Sequence, residues 1–146
     1  MAEAVFLVDI AAAPTQVHEA LTTKVGLVSW WTDDVQIEDG ALSLGFLDAP
    51  KRFTLRVDSE SESRVQWTSV GEFPPHWAGT EVIWNLMDNP DADGSRVFFE
   101  HKGFPAPDPM LGHTAMTWAN LMNSLRSYCE TGSPSPMLTG SPQRPS

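Results

Sequence analysis

The sequence predicts an α+β domain: a curved antiparallel sheet of about seven strands wrapped around one long C-terminal helix, with two short helices after the first strand. Two observations carry this. Apolar residues alternate with polar ones through Val35/Ile37, Leu42/Leu44/Phe46, Phe53/Leu55/Val57, Val65/Trp67, Thr80/Val82/Trp84/Leu86 and Val97/Phe99/His101, the signature of strands with one buried face. The spacing then changes to three and four. From Asp108 to Glu130, Thr117/Trp118, Leu121, Met122, Leu125 and Tyr128/Cys129 form one broad apolar stripe on a helix.

Taken in order, Val5 to Ile10 is β-branched and reads as the first strand, broken by Ala11-Ala12-Ala13-Pro14. Pro14 opens a short helix with Val17, Ala20 and Leu21 on one face. Thr22 or Thr23 caps a second, which runs through Val25, Leu27 and Val28 to Trp30-Trp31. Helices this short are marginal alone and require a surface to pack on. Asp39-Gly40, Asp48-Ala49-Pro50, the stretch from Asp58 to Ser63 and the stretch from Asn89 to Gly94 supply turns between the strands. A longer connection, Gly71 to Gly79, carries Phe73-Pro74-Pro75-His76-Trp77. Asp108 caps the long helix, Pro109 suits its first position, and Gly132 followed by Pro134 ends it. Residues 1–132 form the domain. Residues 133–146, rich in Ser, Pro, Gly and Thr with one apolar pair, Met137-Leu138, are expected to be a disordered tail.

At 146 residues the chain is long enough for one real core. Nine Lys+Arg against 19 Asp+Glu give a net charge of −10, which argues against nucleic acid or an anionic membrane surface as partner. No apolar run has the ~20 residues of a membrane span. The start, Met-Ala-Glu-Ala, lacks the basic region of a signal peptide. Cys129 is the one cysteine, so an internal disulfide is excluded and a reducing, cytoplasmic setting is expected. It sits on the helical stripe and reads as a packing residue rather than a nucleophile. No metal, phosphate-loop or Gly-x-Ser-x-Gly motif occurs, and no cofactor or metal is expected. Asp33-Asp34 are adjacent carboxylates that point apart, the pattern of a turn.

Several pieces, in this order, resemble a known family: Ile10-Ala11-Ala12-Ala13-Pro14 with Val17 and Ala20-Leu21-Thr22; Trp30-Trp31; Gly79-Thr80-x-Val82-x-Trp84-x-Leu86; Gly94 to Val97 through His101-x-Gly103-Phe104; and Trp118 with Leu121, Leu125, Tyr128 and Gly132. Together they resemble the START-like, or SRPBCC, superfamily with the helix-grip fold, and within it the branch named after the activator of the heat-shock chaperone ATPase. His18 departs from the pattern, standing where a tryptophan often follows the valine. The resemblance implies a central cavity that holds lipids, sterols, polyketides or other apolar molecules. It leaves activity open, since members include carriers, cyclases, hydrolases and co-chaperone modules.

With six tryptophans in the chain, an aromatic-lined pocket between sheet and helix is the leading expectation. Trp31, Phe46, Trp67, Trp84, Phe99, His101, Met110, His113 and Thr117 are its expected lining, with His101 and Thr117 orienting the polar end of a lipid, polyketide or aromatic ligand. Phe73, His76 and Trp77, on a proline-stiffened loop, are the expected lid. His101 and His113 offer an acid/base pair if they meet near the mouth, but the favoured reading is a hydrogen-bonded core His101 and an exposed His113. The alternatives are a protein-interaction module acting on a chaperone, although no apolar surface stripe is legible, and a cyclase- or hydrolase-type enzyme. Strand alternation places Glu100 on the face opposite His101, which counts against a catalytic set there.

Overall fold

The computed structural model describes residues 2–47, 49–71, 73–104 and 109–139. The elements run β1 (Ala2–Ile10), α1 (Pro14–Thr22), α2 (Lys24–Trp30), β2 (Asp34–Glu38), β3 (Ala41–Gly45), β4 (Phe53–Ser61), β5 (Arg64–Ser69), a single 3-10 turn (Pro75–Trp77), β6 (Glu81–Asp88), β7 (Ser95–Phe104) and α3 (Pro109–Thr131). The seven strands form one antiparallel sheet in the order β1-β7-β6-β5-β4-β3-β2. Strands β2 to β7 are therefore a meander, and β1 closes on the last of them. The crossing from β1 to β2 is made by α1 and α2, which together with α3 cover the inner face.

The local chemistry follows the residues. Asp39 (φ 51°) and Gly40 (φ 75°) both take positive φ, as a two-residue hairpin turn between β2 and β3 requires. Gln16 Oε1 accepts the Ala13 N–H (3.0 Å) at the start of α1, and Thr23 Oγ1 accepts the Gly26 N–H (2.9 Å) at the start of α2. The two helices then hold each other. A Cβ at Gly26 would stand 2.6 Å from Ala20 Cα, so only glycine permits the close crossing, and Trp30 Nε1 donates to the Ala20 carbonyl (2.9 Å) beside it. The long helix ends as expected, with Gly132 at φ 73° and its N–H on the Tyr128 carbonyl (2.7 Å). Asp108, the expected cap, lies outside the described residues.

Most positions read as inward are buried, but Ile37 is 43% exposed because β2 is an edge strand and Ile37 sits beside its turn. Arg52, just before β4, makes a bidentate pair with Asp34 of β2 (2.7 and 3.0 Å) that ties this edge down. Trp30, Trp31, Trp67, Trp84 and Trp118 are all fully buried and form the centre of the core.

The tail needs a correction. Residues 133–139, expected to be disordered, are laid along the end of α2: Ser135, Met137 and Leu138 donate their N–H groups to the carbonyls of Ser29 (2.8 Å), Trp30 (3.2 Å) and Trp31 (2.9 Å). The last carbonyls of a helix have no partner within it, and here the tail supplies them. Residues 140–146 lie outside the described part.

Candidate functional site: an aromatic cavity under the long helix

A cavity of about 500 Å³ opens between the first turns of α3, the 3-10 turn, the connection from β3 to β4 and the tail. This is within the range of small-molecule sites. From α3 come Met110, His113, Thr114, Thr117, Trp118 and Leu121. The 3-10 turn and the residues before it give Phe73, Pro74, His76 and Trp77, and the sheet side gives Trp31, Phe46, Leu47, Ala49 and Phe53. Met137, Leu138 and Thr139 complete it. The described lining contains no Asp, Glu, Lys or Arg.

The rings are ordered by edge and stacking contacts. Phe46 and Phe53 meet edge to face (4.7 Å), Phe53 does the same with Phe73 (5.4 Å) and Trp77 (5.2 Å), and Trp77 stacks on Trp118 (6.0 Å, 13°). Trp118 leans on Trp31 at 5.3 Å. One continuous aromatic surface therefore runs from the mouth to the core.

Of the expected lining, Trp31, Phe46, Met110, His113 and Thr117 border the cavity, as do all three expected lid residues. Trp67, Trp84, Phe99 and His101 do not. They sit one layer deeper: Trp84, Phe99 and His101 pack against Trp118, and Trp67 packs against Trp31 and Trp84. Trp77 also departs from the lid reading: it is 6% exposed and packs as the floor, held by its Nε1 on Thr114 Oγ1 (3.3 Å). A ring on a long loop fills the core here because the 3-10 turn folds it inward.

His101 takes the favoured reading, a hydrogen-bonded core histidine, and stands outside the lining where it was also expected. It is fully buried, while His113 is exposed on the helix, so no working pair forms. Trp118 Nε1 donates to His101 Nδ1 (3.0 Å), which places the ring proton on Nε2, where it is given to Thr80 Oγ1 (2.8 Å). Thr80 in turn donates to the Trp77 carbonyl (2.6 Å). Both imidazole nitrogens are thus committed, and burial, aided by the nearby His76, holds the pKa down to about 3. His101 is a neutral bracket joining β7, α3 and the 3-10 turn. It does not border the cavity, where it was expected to orient a ligand's polar end, and both its nitrogens are held by protein partners.

The remaining polar groups are largely engaged as well. Thr114 Oγ1 lies 3.4 Å from His76 Nε2, and Thr117 Oγ1 donates to the His113 carbonyl (3.1 Å). Asp33 and Asp34 diverge as expected, Asp33 accepting from Thr139 Oγ1 (3.0 Å) and Asp34 pairing with Arg52. Cys129 is half-buried on α3, and burial pushes its thiol up to about 12, far from thiolate chemistry. Among the described residues no group of three or more His, Cys, Asp or Glu is placed to hold a metal ion, and no helix is long and apolar enough to cross a membrane.

The lining residues that sequence reading missed left uneven traces. Thr114 is one helical turn before Trp118 and extends its stripe. Phe53 and Trp118 were legible as inward but not as cavity-facing. Met137-Leu138 was the one apolar pair in a polar tail, a signal that the composition of the tail hid.

No family model and no curated protein matches the chain. Solved structures do. The Aha1 protein of Colwellia psychrerythraea, determined in solution as a dimer, is 26% identical with a TM-score of 0.81, over 90% of this chain and 98% of that one. DynU16, from the dynemicin biosynthetic locus, is 21% identical with a TM-score of 0.72, over 90% of this chain and 48% of that one. CalU16 from Micromonospora echinospora is 18% identical with a TM-score of 0.68, over 91% and 76%. The two U16 proteins share the fold. The chain thus has the helix-grip fold of these structures and is similar to the Aha1 protein, in keeping with the resemblance to the START-like superfamily and its Aha1-like branch.

Proposed function

We propose that the protein binds a small apolar ligand, a lipid, a polyketide or an aromatic molecule, in the cavity under α3. The observation that carries this reading is the cavity itself: about 500 Å³ bordered by Trp31, Phe46, Phe53, Trp77 and Trp118, without a charged side chain in the described lining. Burial of ligand carbon supplies the affinity, at ~25 cal/mol per Å² before association costs. His76 and His113, at the α3 side of the cavity, face the ligand's polar end. The test is titration with the neutral dye N-phenyl-1-naphthylamine, alongside native mass spectrometry of the purified protein. Thr117→Trp, which fills the cavity from an accessible helix position, is expected to abolish dye binding. Phe46→Ala is expected to weaken it about tenfold, the equivalent of one lost aromatic wall. Binding unchanged in both variants sinks the assignment of this cavity.

A second reading, a protein-interaction module acting on a heat-shock chaperone ATPase, is favoured by one observation and by the likeness to the Aha1 protein. Val5 and Leu7 of β1 are 47% and 63% exposed on the outer face of the sheet, with Leu7 in register with Phe98. That makes a short apolar strip which the sequence alone did not reveal, because alternation on an edge strand reads as polar and apolar faces without saying which is covered. Leu7→Asp is expected to remove any stimulation of the chaperone's ATPase while leaving dye binding intact. Equal stimulation by both proteins counts against the strip as the contact.

A further inference from the structure

We propose that residues 133–139, the segment after α3, form a detachable wall of the cavity and control entry to it. The proposal rests on the ligand-binding reading and adds a gate to the same site.

Two kinds of contact hold the segment. Along one side, three of its N–H groups satisfy the Ser29, Trp30 and Trp31 carbonyls at the end of α2, and Leu138 bridges Thr32 in parallel. On the other, the Thr139 carbonyl accepts the Leu47 N–H (2.7 Å), and Thr139 Oγ1 donates to Asp33 (3.0 Å). The segment thus spans from α2 to the connection between β3 and β4 and lies across the flank of the cavity. Met137 and Leu138 turn into it beside Trp31 and Phe46.

The grip is shallow compared with what surrounds it. Met137 and Leu138 are only half-buried, whereas Trp31 and Trp118 are buried to 1%. Residues 131 and 132 leading into the segment and its first residues, 133–135, are exposed, and Gly132 at φ 73° gives the chain a turn outward from the helix. Release leaves little unsatisfied. Trp30's carbonyl keeps the Ser124 hydroxyl (2.7 Å), and the other two carbonyls belong to a helix end, where water serves as partner. A segment with few buried apolar contacts opens at the low end of a protein's local stability. The core behind it stays packed. Opening therefore exposes the aromatic wall without unfolding the domain.

The test uses the full chain in three forms: unsubstituted, Met137→Ser/Leu138→Ser, which strips the apolar grip, and Leu138→Pro, which removes the N–H given to Trp31. Acrylamide quenching of tryptophan fluorescence reads access to the cavity without any ligand, and stopped-flow mixing with N-phenyl-1-naphthylamine reads entry. In both variants quenching is expected to rise, and dye association to accelerate about tenfold, the scale of one or two lost contacts. In the unsubstituted protein the Leu47 and Leu138 amides are expected to exchange hydrogen faster than those within α2. Quenching, association rate and exchange all unaltered overturn the gate. A rise in quenching with no dye uptake by any form leaves the gate standing and overturns the ligand-binding reading instead.

Discussion

Replacing Trp118 with alanine is expected to lower the free energy of unfolding by about 5 kcal/mol, a large share of the ~5–15 kcal/mol typical of a domain. The side chain is 1% exposed and touches the rings of Trp31, Trp77, Trp84, Phe99 and His101, so its loss opens a cavity walled by stiff aromatics that cannot close over it. Truncating a large core aromatic costs about 3–5 kcal/mol. A second cost arises because Trp118 Nε1 is the donor to His101 Nδ1, and a buried acceptor left without its donor costs a further ~1–3 kcal/mol. Trp118→Phe separates the two effects: it keeps most of the ring and loses the donor, and is expected to cost about 2 kcal/mol. Urea denaturation of the three proteins gives the comparison. If Trp118→Ala costs under ~2 kcal/mol, the helix is not pinned to the sheet by this residue.

Much of this arrangement was legible in the sequence, and the boundary between what was and was not is physical. Period two in the strands and spacings of three and four in α3 report which face of each element is apolar, and burial follows from that. They therefore found Trp67, Trp84, Phe99 and Trp118 as inward residues. Periodicity says nothing about depth along the helix axis, which decides whether an inward ring meets a cavity or another ring. Trp84 and Phe99 sit under the packed middle of α3, whereas Phe46 faces its open end, where Met110 lies in the first turn of the helix. Trp77 was misread for a related reason. Its loop folds inward through a 3-10 turn whose direction is fixed by contacts with Thr114 and His101, both distant in sequence. The tail was misread because composition averages over a segment, while docking needs only two apolar residues and a row of helix-end carbonyls.

The stability of the protein is expected to fall by about 2 kcal/mol between pH 7 and pH 5 through His101 alone. The ordinary imidazole pKa is 6.5, and burial lowers it in the folded state to about 3. Above pH 6.5 both states hold the neutral ring, and the group's contribution is fully present. As pH falls below 6.5 the unfolded chain takes up a proton that the folded chain refuses until about pH 3, so stability drops by as much as ~1.4 kcal/mol per pH unit through that window. Asp9, held below the usual carboxylate range chiefly by its hydrogen bond to Arg96, titrates at the acid end and adds its loss there. The variant His101→Gln isolates the effect. A glutamine amide offers one acceptor for Trp118 and one donor for Thr80 but does not titrate, so it should be less stable at pH 7 yet nearly flat between pH 7 and 5. Urea midpoints taken across that range decide the matter. Parallel curves for the two proteins would show that His101 charges in the folded state, and the neutral bracket would have to be abandoned. A flat curve for the glutamine variant ties the acid sensitivity of the fold to the burial of this one neutral ring, since the folded chain refuses a proton that the unfolded chain accepts.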